Sequence, residues 1–444
     1  MPAALAAVAE AAAEAPQDPR IALAHAHIAY EGWQPAIDLF VHAEALLPGN
    51  LSVLRSKALA LNAEGEWREA EALLAAAVAA HPGWIEGHRT LATLRVTAGQ
   101  DALDASFVES VVADPDNLGL RLAHYHLLAT ARLWDRAAIV LGEARLRFGD
   151  QRALQLAQAF HLAESGEGSD LDDLFDHLAD VDDIGLDLAR TRHALRRGQA
   201  DRALAIATPR LSGPAARSFW PYCSLGWRLT GNPQAQWLDG DPVFTAHEDA
   251  VLTAEECATL ATTLRRLLVL QAPYLEQSVR GGVQTDRHLF FNPDPVIQQL
   301  RARVTEAVAR YIASLPPPVP CHPLLGHVRP DTPKAICFEG SWSVLLRKQG
   351  FHANHTHNMG WISSALYVQL PPSEKLGRAP AGWFSHGTPP PELGLDLPAY
   401  GLIEPKPGRL ALFPSTMWHG TVPFDDGERL TVAFDVKFPA AIRG

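Results

Sequence analysis

The chain has 444 residues, 47% of them hydrophobic and 20% charged, with a formal net charge of −12. That length exceeds what one hydrophobic core usually serves, the composition excludes a disordered chain, and the acidic balance argues against nucleic-acid or anionic-membrane partners, which call for clustered Lys and Arg. No stretch approaches the roughly 18 unbroken apolar residues of a membrane span. Cys223, Cys257, Cys321 and Cys337 lie far apart with no C-x-x-C pair, so reduced thiols in a cytoplasmic protein are expected. The start, Met1-Pro2-Ala3-Ala4-Leu5, lacks a basic leader and leads into Glu10 and Glu14, which predicts a helix and not a secretory signal.

A period follows. Pro48, Pro82 and Pro115 are spaced by 34 and 33 residues. Ala36 and Ala43, Ala70 and Ala77, and Ala137 and Ala144 are each seven apart, two helical turns, with Phe40, Leu74 and Leu141 midway. Ala24 and Ala58 add a small position in the first helix of two units. This resembles about four tetratricopeptide repeats over residues 17–150, the unit between Pro82 and Pro115 fitting least well. From Asp150 to Gly213 a helical pattern continues without a clean repeat, so residues 1–213 are expected to form a helical superhelix. Such stacks present a concave surface that commonly receives a peptide, which makes a protein or peptide the expected partner; the bland alternative is support of the neighbouring domain or of a dimer.

Residues 214–245 carry Trp220, Trp227 and Trp237 among Gly and Pro, which predicts a packed junction and not a floppy linker. The third segment, 246–444, opens with Thr253-Ala254-Glu255-Glu256, a helix start with Thr as cap and Glu at the third following position, and Asp294-Pro295 starts another helix running to about Leu315. Gln277 to Thr285 contains Gly281-Gly282 and reads, on composition alone, equally well as a glycine turn with polar flanks. The proline runs 316–318 and 389–391 predict rigid loops at a pocket rim.

The chemistry is concentrated in the last hundred residues. His355-Thr356-His357 precedes a strand-like run from Trp361 to Leu370; in an extended segment i and i+2 share a face, so His355 and His357 can reach one metal ion while His352 should point away. Imidazole binds iron, zinc, copper and nickel, so the spacing does not choose the metal. Arg409 to Pro414 alternates little and reads as a buried strand, after which Ser415-Thr416-Met417 turns the chain toward Trp418-His419. Arg429 opens a second such strand, through Val436; if the two pair, Arg429 returns to the metal pocket. There its planar fork suits a dicarboxylate, with Thr431 adding a hydroxyl from the same strand face. The competing readings are Arg429 paired with Glu428, Asp425 or Asp426 at the surface, and Trp361, Trp383 and Trp418 as core or pocket wall.

The stretch Asn354 to Tyr367, together with Gly408 to Thr421, Glu428 to Phe434 and the upstream Gln277 to Thr285, resembles the bacterial 2-oxoglutarate/iron(II) oxygenases that carry tetratricopeptide repeats. The resemblance covers roughly residues 240–440. It implies a double-stranded β-helix (jelly roll) with buttressing helices, iron(II), 2-oxoglutarate and dioxygen as reactants, His355 and His419 as ligands, and Arg429 with Thr431 holding the cosubstrate. One departure stands out: where the wider superfamily has H-x-D/E, this chain has His357. Three neutral imidazoles would leave iron(II) at +2, against +1 with a carboxylate ligand. The expectation is therefore a multidomain α and β protein whose iron is held by His355, His357 and His419. The alternatives are a site in which His357 is not a ligand, a three-histidine dioxygenase that does not use 2-oxoglutarate, and a repeat scaffold with a degenerate oxygenase domain.

Overall fold

The computed structural model describes residues 1–166, 171–275 and 277–441; the part of the expected 150–213 helical pattern at 167–170 lies outside them. After the helix Pro2–Glu14, helical hairpins follow: Pro19–Glu31 with Ile37–Leu46, Leu51–Ala63 with Trp67–Ala80, and Leu118–Thr130 with Trp134–Phe148, while Ile85–Thr97 and Ala105–Ala113 meet through His88, Ser106 and Phe107. Ala36, Ala43, Ala70, Ala77, Ala137 and Ala144 are buried, as are Phe40, Leu74 and Leu141 between them. Small residues at these positions let paired helices approach closely enough for the large ones to interlock. Ala24 is a correction: it is exposed, and Ala26, which stands 34 residues before the buried Ala60, takes the core position instead.

The irregular third unit has a physical reason. Where its neighbours place Ala70 and Ala137, the repeat spacing puts Asp104, buried and held by His124 Nε2 at 2.9 Å and Arg136 Nη2 at 2.6 Å. The bond from His124, helped by Arg136, keeps its carboxyl down at about 2.

Two stretches from later in the chain, 269–277 and 285–297, belong to this first compact unit along with residues 1–161. The N–H groups of Gln271 and Ala272 donate to Thr97 O (3.0 and 3.2 Å), and Leu275 packs against the cluster of Leu103, Phe107 and Leu120. Arg287 stacks over the Trp33 ring at 4.0 Å and donates to Tyr30 O at 3.1 Å. Compactness thus interleaves along the chain, whereas the sequence reading divides it into consecutive blocks at 213 and 245.

The second unit comprises residues 162–268, 278–284 and 298–444. Its strands are β1 (Ala246–Glu248), β2 (Val279–Gln284), β3 (Phe338–His352), β4 (Ile362–Gln369), β5 (Phe384–His386), β6 (Gly401–Ile403), β7 (Leu410–Pro414), β8 (His419–Thr421) and β9 (Arg429–Val436). They form an antiparallel six-stranded sheet in the order β1-β7-β4-β9-β3-β2 and a three-stranded sheet β6-β5-β8. Tyr367, Ala411 and Phe413 from the large sheet and Phe384 and Ile403 from the small one share one core cluster, closing a double-stranded β-helix. Side chains on both faces of β7 are buried, which explains its lack of alternation. The condition that the Arg409 and Arg429 strands pair is not met: β4 lies between β7 and β9, and Arg429 stands opposite Leu346 of β3.

Helices buttress this sandwich. Ala254–Leu267 opens with a complete Thr253/Glu256 capping box, and Glu256 also accepts from Gln299 and Arg303 of the long helix Pro295–Ser314, both at 2.9 Å. The tryptophan segment is packed: Trp220 lies 6.2 Å from Trp227 and 5.9 Å from Trp237, ring centre to ring centre. Among the described residues no helix is long and apolar enough to cross a membrane.

Candidate metal centre

β3 ends at His352, and the chain then leaves the sheet. It is laid against the β7–β8 turn by paired main-chain bonds: His355 N–H to His419 O (2.9 Å), His419 N–H to His355 O (3.0 Å) and His357 N–H to Ser415 O (2.8 Å). His355, His357 and His419 converge as a result. Each offers one ring nitrogen within 4.8 Å of the others, and among the described residues this is the group of three or more His, Cys, Asp or Glu side chains able to hold a metal ion.

The other ring nitrogens fix the tautomers. His355 Nδ1 is 2.7 Å from Ala353 O and His419 Nδ1 is 3.0 Å from Met417 O. A carbonyl only accepts, so each Nδ1 carries the proton and each Nε2 keeps its lone pair. Burial first, then the neighbouring rings, holds His355 down at about 3 and His419 well below the usual imidazole range, so both are neutral, the form that binds metal. Phe413 and Phe384 pack against His419 with ring centres at 4.5 and 5.9 Å. Three imidazoles in a partly dry pocket suit a divalent transition metal.

Arg429, the first residue of β9, is 2% exposed, and its Nε and Nη1 have no hydrogen-bond partner among the described residues. Its guanidinium carbon lies 4.9 Å from the centre of the Tyr367 ring. The surface ion-pair reading fails: Glu428 pairs with Arg265 at 2.7 Å and Asp426 with Lys375 at 3.4 Å. A buried cation without a counter-ion is costly. Thr431 is buried two residues along the same face.

The expectation that His352 points away is overturned. Its Nδ1 is 3.3 Å from Ser278 Oγ, and the same hydroxyl lies 3.2 Å from His355 Nε2. Alternation applies only within a strand, and β3 stops at His352. Ser278 escaped the sequence reading of site residues; its signal was the Gln277 to Thr285 segment. That segment is no free glycine turn but holds β2, paired to β3 across a bulge at Gly281. Gly281 takes φ +68°, and a Cβ on Gly282 would stand 2.5 Å from Leu345 O, so both positions need glycine. Arg280 donates to Val279 O at 2.9 Å. Trp361 and Trp418 are anchors, donating to Leu324 O (2.8 Å) and Pro221 O (2.9 Å).

Residues 340–435 match the family model described as "Putative 2OG-Fe(II) oxygenase". No curated protein matches the chain. Among solved structures, a prolyl-4-hydroxylase from Pseudomonas putida is 18% identical, covering 48% of this chain and 99% of its own, with a TM-score of 0.30. HygX from Streptomyces hygroscopicus, with nickel and 2-oxoglutarate bound, is 13% identical over 47% of this chain and 85% of its own (TM-score 0.30). A tetratricopeptide repeat protein from Parabacteroides merdae is 14% identical over 45% and 80% (TM-score 0.35). Scores this low add nothing to the argument. The family match, with the imidazole cluster and the buried guanidinium inside its span, gives the class of residues 340–435: a 2-oxoglutarate/iron(II) oxygenase domain. The protein is an enzyme of that class, with iron(II) and 2-oxoglutarate as cofactor and cosubstrate.

Proposed function

We propose that the protein hydroxylates a protein or peptide substrate recruited by its helical repeats, with His355, His357 and His419 as iron ligands and Arg429 and Thr431 holding the distal carboxylate of 2-oxoglutarate. The observation that carries this reading is the conjunction, within one matched span, of three convergent imidazoles and a buried guanidinium whose Nε and Nη1 lack partners among the described residues. When bound, iron(II) and 2-oxoglutarate supply dioxygen activation, with decarboxylation of the cosubstrate to succinate. The chain's residues do the rest. Met417 O and Ala353 O aim two imidazoles, Phe384 and Phe413 keep water from His419, and the Arg429 fork with the Thr431 hydroxyl orients a carboxylate. The buried Arg429 speaks against a three-histidine dioxygenase without 2-oxoglutarate, and the neutral, aimed imidazoles speak against a degenerate domain. The helical hairpins support the peptide preference, since such stacks offer an extended surface. A cytoplasmic setting, and a division into repeats (1–213), junction (214–245) and catalytic segment (246–444), belong to the same proposal.

The test is succinate release by the whole iron-loaded protein with peptide or small-molecule fractions of a cell extract. A peptide that gains the mass of one oxygen atom and stimulates succinate release is expected. Stimulation by the small-molecule fraction alone would sink the peptide reading.

A further inference from the structure

We infer that Asp435 supplies, one hydrogen bond out from the metal, the negative charge that a carboxylate ligand supplies directly in the wider superfamily. The inference rests on the reading of His357 as a ligand. Along β9 the side chains of Arg429, Thr431 and Asp435 share a face, because alternate residues of a strand do. Asp435 stands opposite Ser363 of β4. It is 7% exposed, and its ion-pairing partner among the described residues is His357, whose Nδ1 lies 2.7 Å from Asp435 Oδ1. Ser363 Oγ is 2.6 Å from the same oxygen, 2.8 Å from Ser415 Oγ and 3.1 Å from His357 Nδ1.

A carboxylate oxygen only accepts, so Ser363 O–H and His357 Nδ1–H both donate to Asp435 Oδ1. His357 Nε2 is then left bare and directed at the cluster. Gly360 permits the closure, since a Cβ there would stand 2.7 Å from Ser415 Oγ and 2.9 Å from Asp435 Cβ. Three neutral imidazoles leave a divalent ion at +2; counting Asp435, the assembly is +1, the value of a two-histidine, one-carboxylate site. A carboxylate accepting the imidazole N–H also makes Nε2 a stronger donor, so the buried charge tightens metal binding while moderating the pull on an anionic cosubstrate.

Calorimetry on the full-length protein, first with nickel(II) and then with 2-oxoglutarate on the nickel-loaded form, tests this without turnover. Asp435→Asn keeps the shape and removes the charge. It should weaken nickel binding by about 10–100-fold while 2-oxoglutarate binds the loaded variant at least as tightly as the wild type; loss of both affinities would mean a purely structural role and overturn the inference. His357→Asp alone sets a second carboxylate beside Asp435, so it should hold nickel less well than the double variant His357→Asp/Asp435→Asn, which restores one. Wild-type nickel affinity in Asp435→Asn, or a double variant weaker than His357→Asp, would also overturn it. If His357→Ala keeps full nickel affinity, the ligand reading beneath it fails instead.

Discussion

At Arg429 the folded protein keeps a guanidinium that is 2% exposed, stacked on Tyr367, with two nitrogens unpartnered among the described residues. Leaving a buried charge unpaired costs free energy that an incoming carboxylate recovers, so function and stability oppose each other here. Arg429→Met should therefore raise the Tm of the protein without 2-oxoglutarate by a few degrees, for about 1–3 kcal/mol regained. It should leave nickel affinity intact and lose roughly 1.5–3 kcal/mol of 2-oxoglutarate binding. Thermal melts with and without 2-oxoglutarate check both signs, and a lowered Tm in the absence of 2-oxoglutarate would contradict the argument. His419 has no such conflict. Its Nδ1 is committed to Met417 O, its ring packs against Phe413 and Phe384, and water cannot reproduce that donor. His419→Ala is expected to abolish metal binding and succinate formation together; retention of either at the wild-type level would remove the histidine from the site.

Elements outside the sheets hold the site's surroundings. The helix Ala216–Leu229 supplies Pro221 O to Trp418, whose ring meets Tyr222 at 5.6 Å and shares a core cluster with Leu225 and Leu393. That helix also carries Ser224, which donates to the buried Asp239 at 2.9 Å; Tyr400 donates to the same oxygen at 2.9 Å. Burial pushes the Asp239 carboxyl up to about 6 despite these bonds. Because the folded pKa lies above the ordinary carboxylate value, the folded state binds more protons than the unfolded one between about pH 4 and 6. The group's favourable contribution is then complete below that window and is lost as pH rises through about 6, by roughly 3 kcal/mol. Asp239→Asn keeps the acceptor oxygen and cannot ionise, so its stability should fall less across pH 4 to 6 than that of the wild type. Denaturant titrations at several pH values would show it, and parallel curves would refute the assignment.

On the scale of the whole molecule, the compact units do not follow the chain in blocks. Residues 162–230 cluster with the oxygenase sheets, and 269–277 with 285–297 cluster with the repeats. A chain starting near Pro233 would lack the helix that receives Trp418 and the Thr97 and Tyr30 carbonyls that receive 269–297. It would also bare the apolar surfaces of Leu393 and Leu275. Such a chain is expected to aggregate or melt without cooperativity, which light scattering and calorimetry would reveal; a monodisperse, cooperatively melting product would mean these contacts matter little.

What the sequence determined by itself was whatever local pattern controls. The repeat period with its buried Ala36, Ala70 and Ala137, the capped helix at Thr253, the strands that became β4, β7 and β9, and the motif around His355, His357 and His419 were all legible, because helical and strand periods and ligand spacing are written in near neighbours. Only the tertiary structure decided what depends on partners distant in sequence. It inserted β4 between β7 and β9, turned His352 toward Ser278, put Asp104 where a small residue was due, and seated Asp435 on His357 across 78 residues. These are outcomes of strand order and of where a strand ends. Hydrogen-bond and charge satisfaction in a buried pocket is set by residues that the chain brings together only on folding.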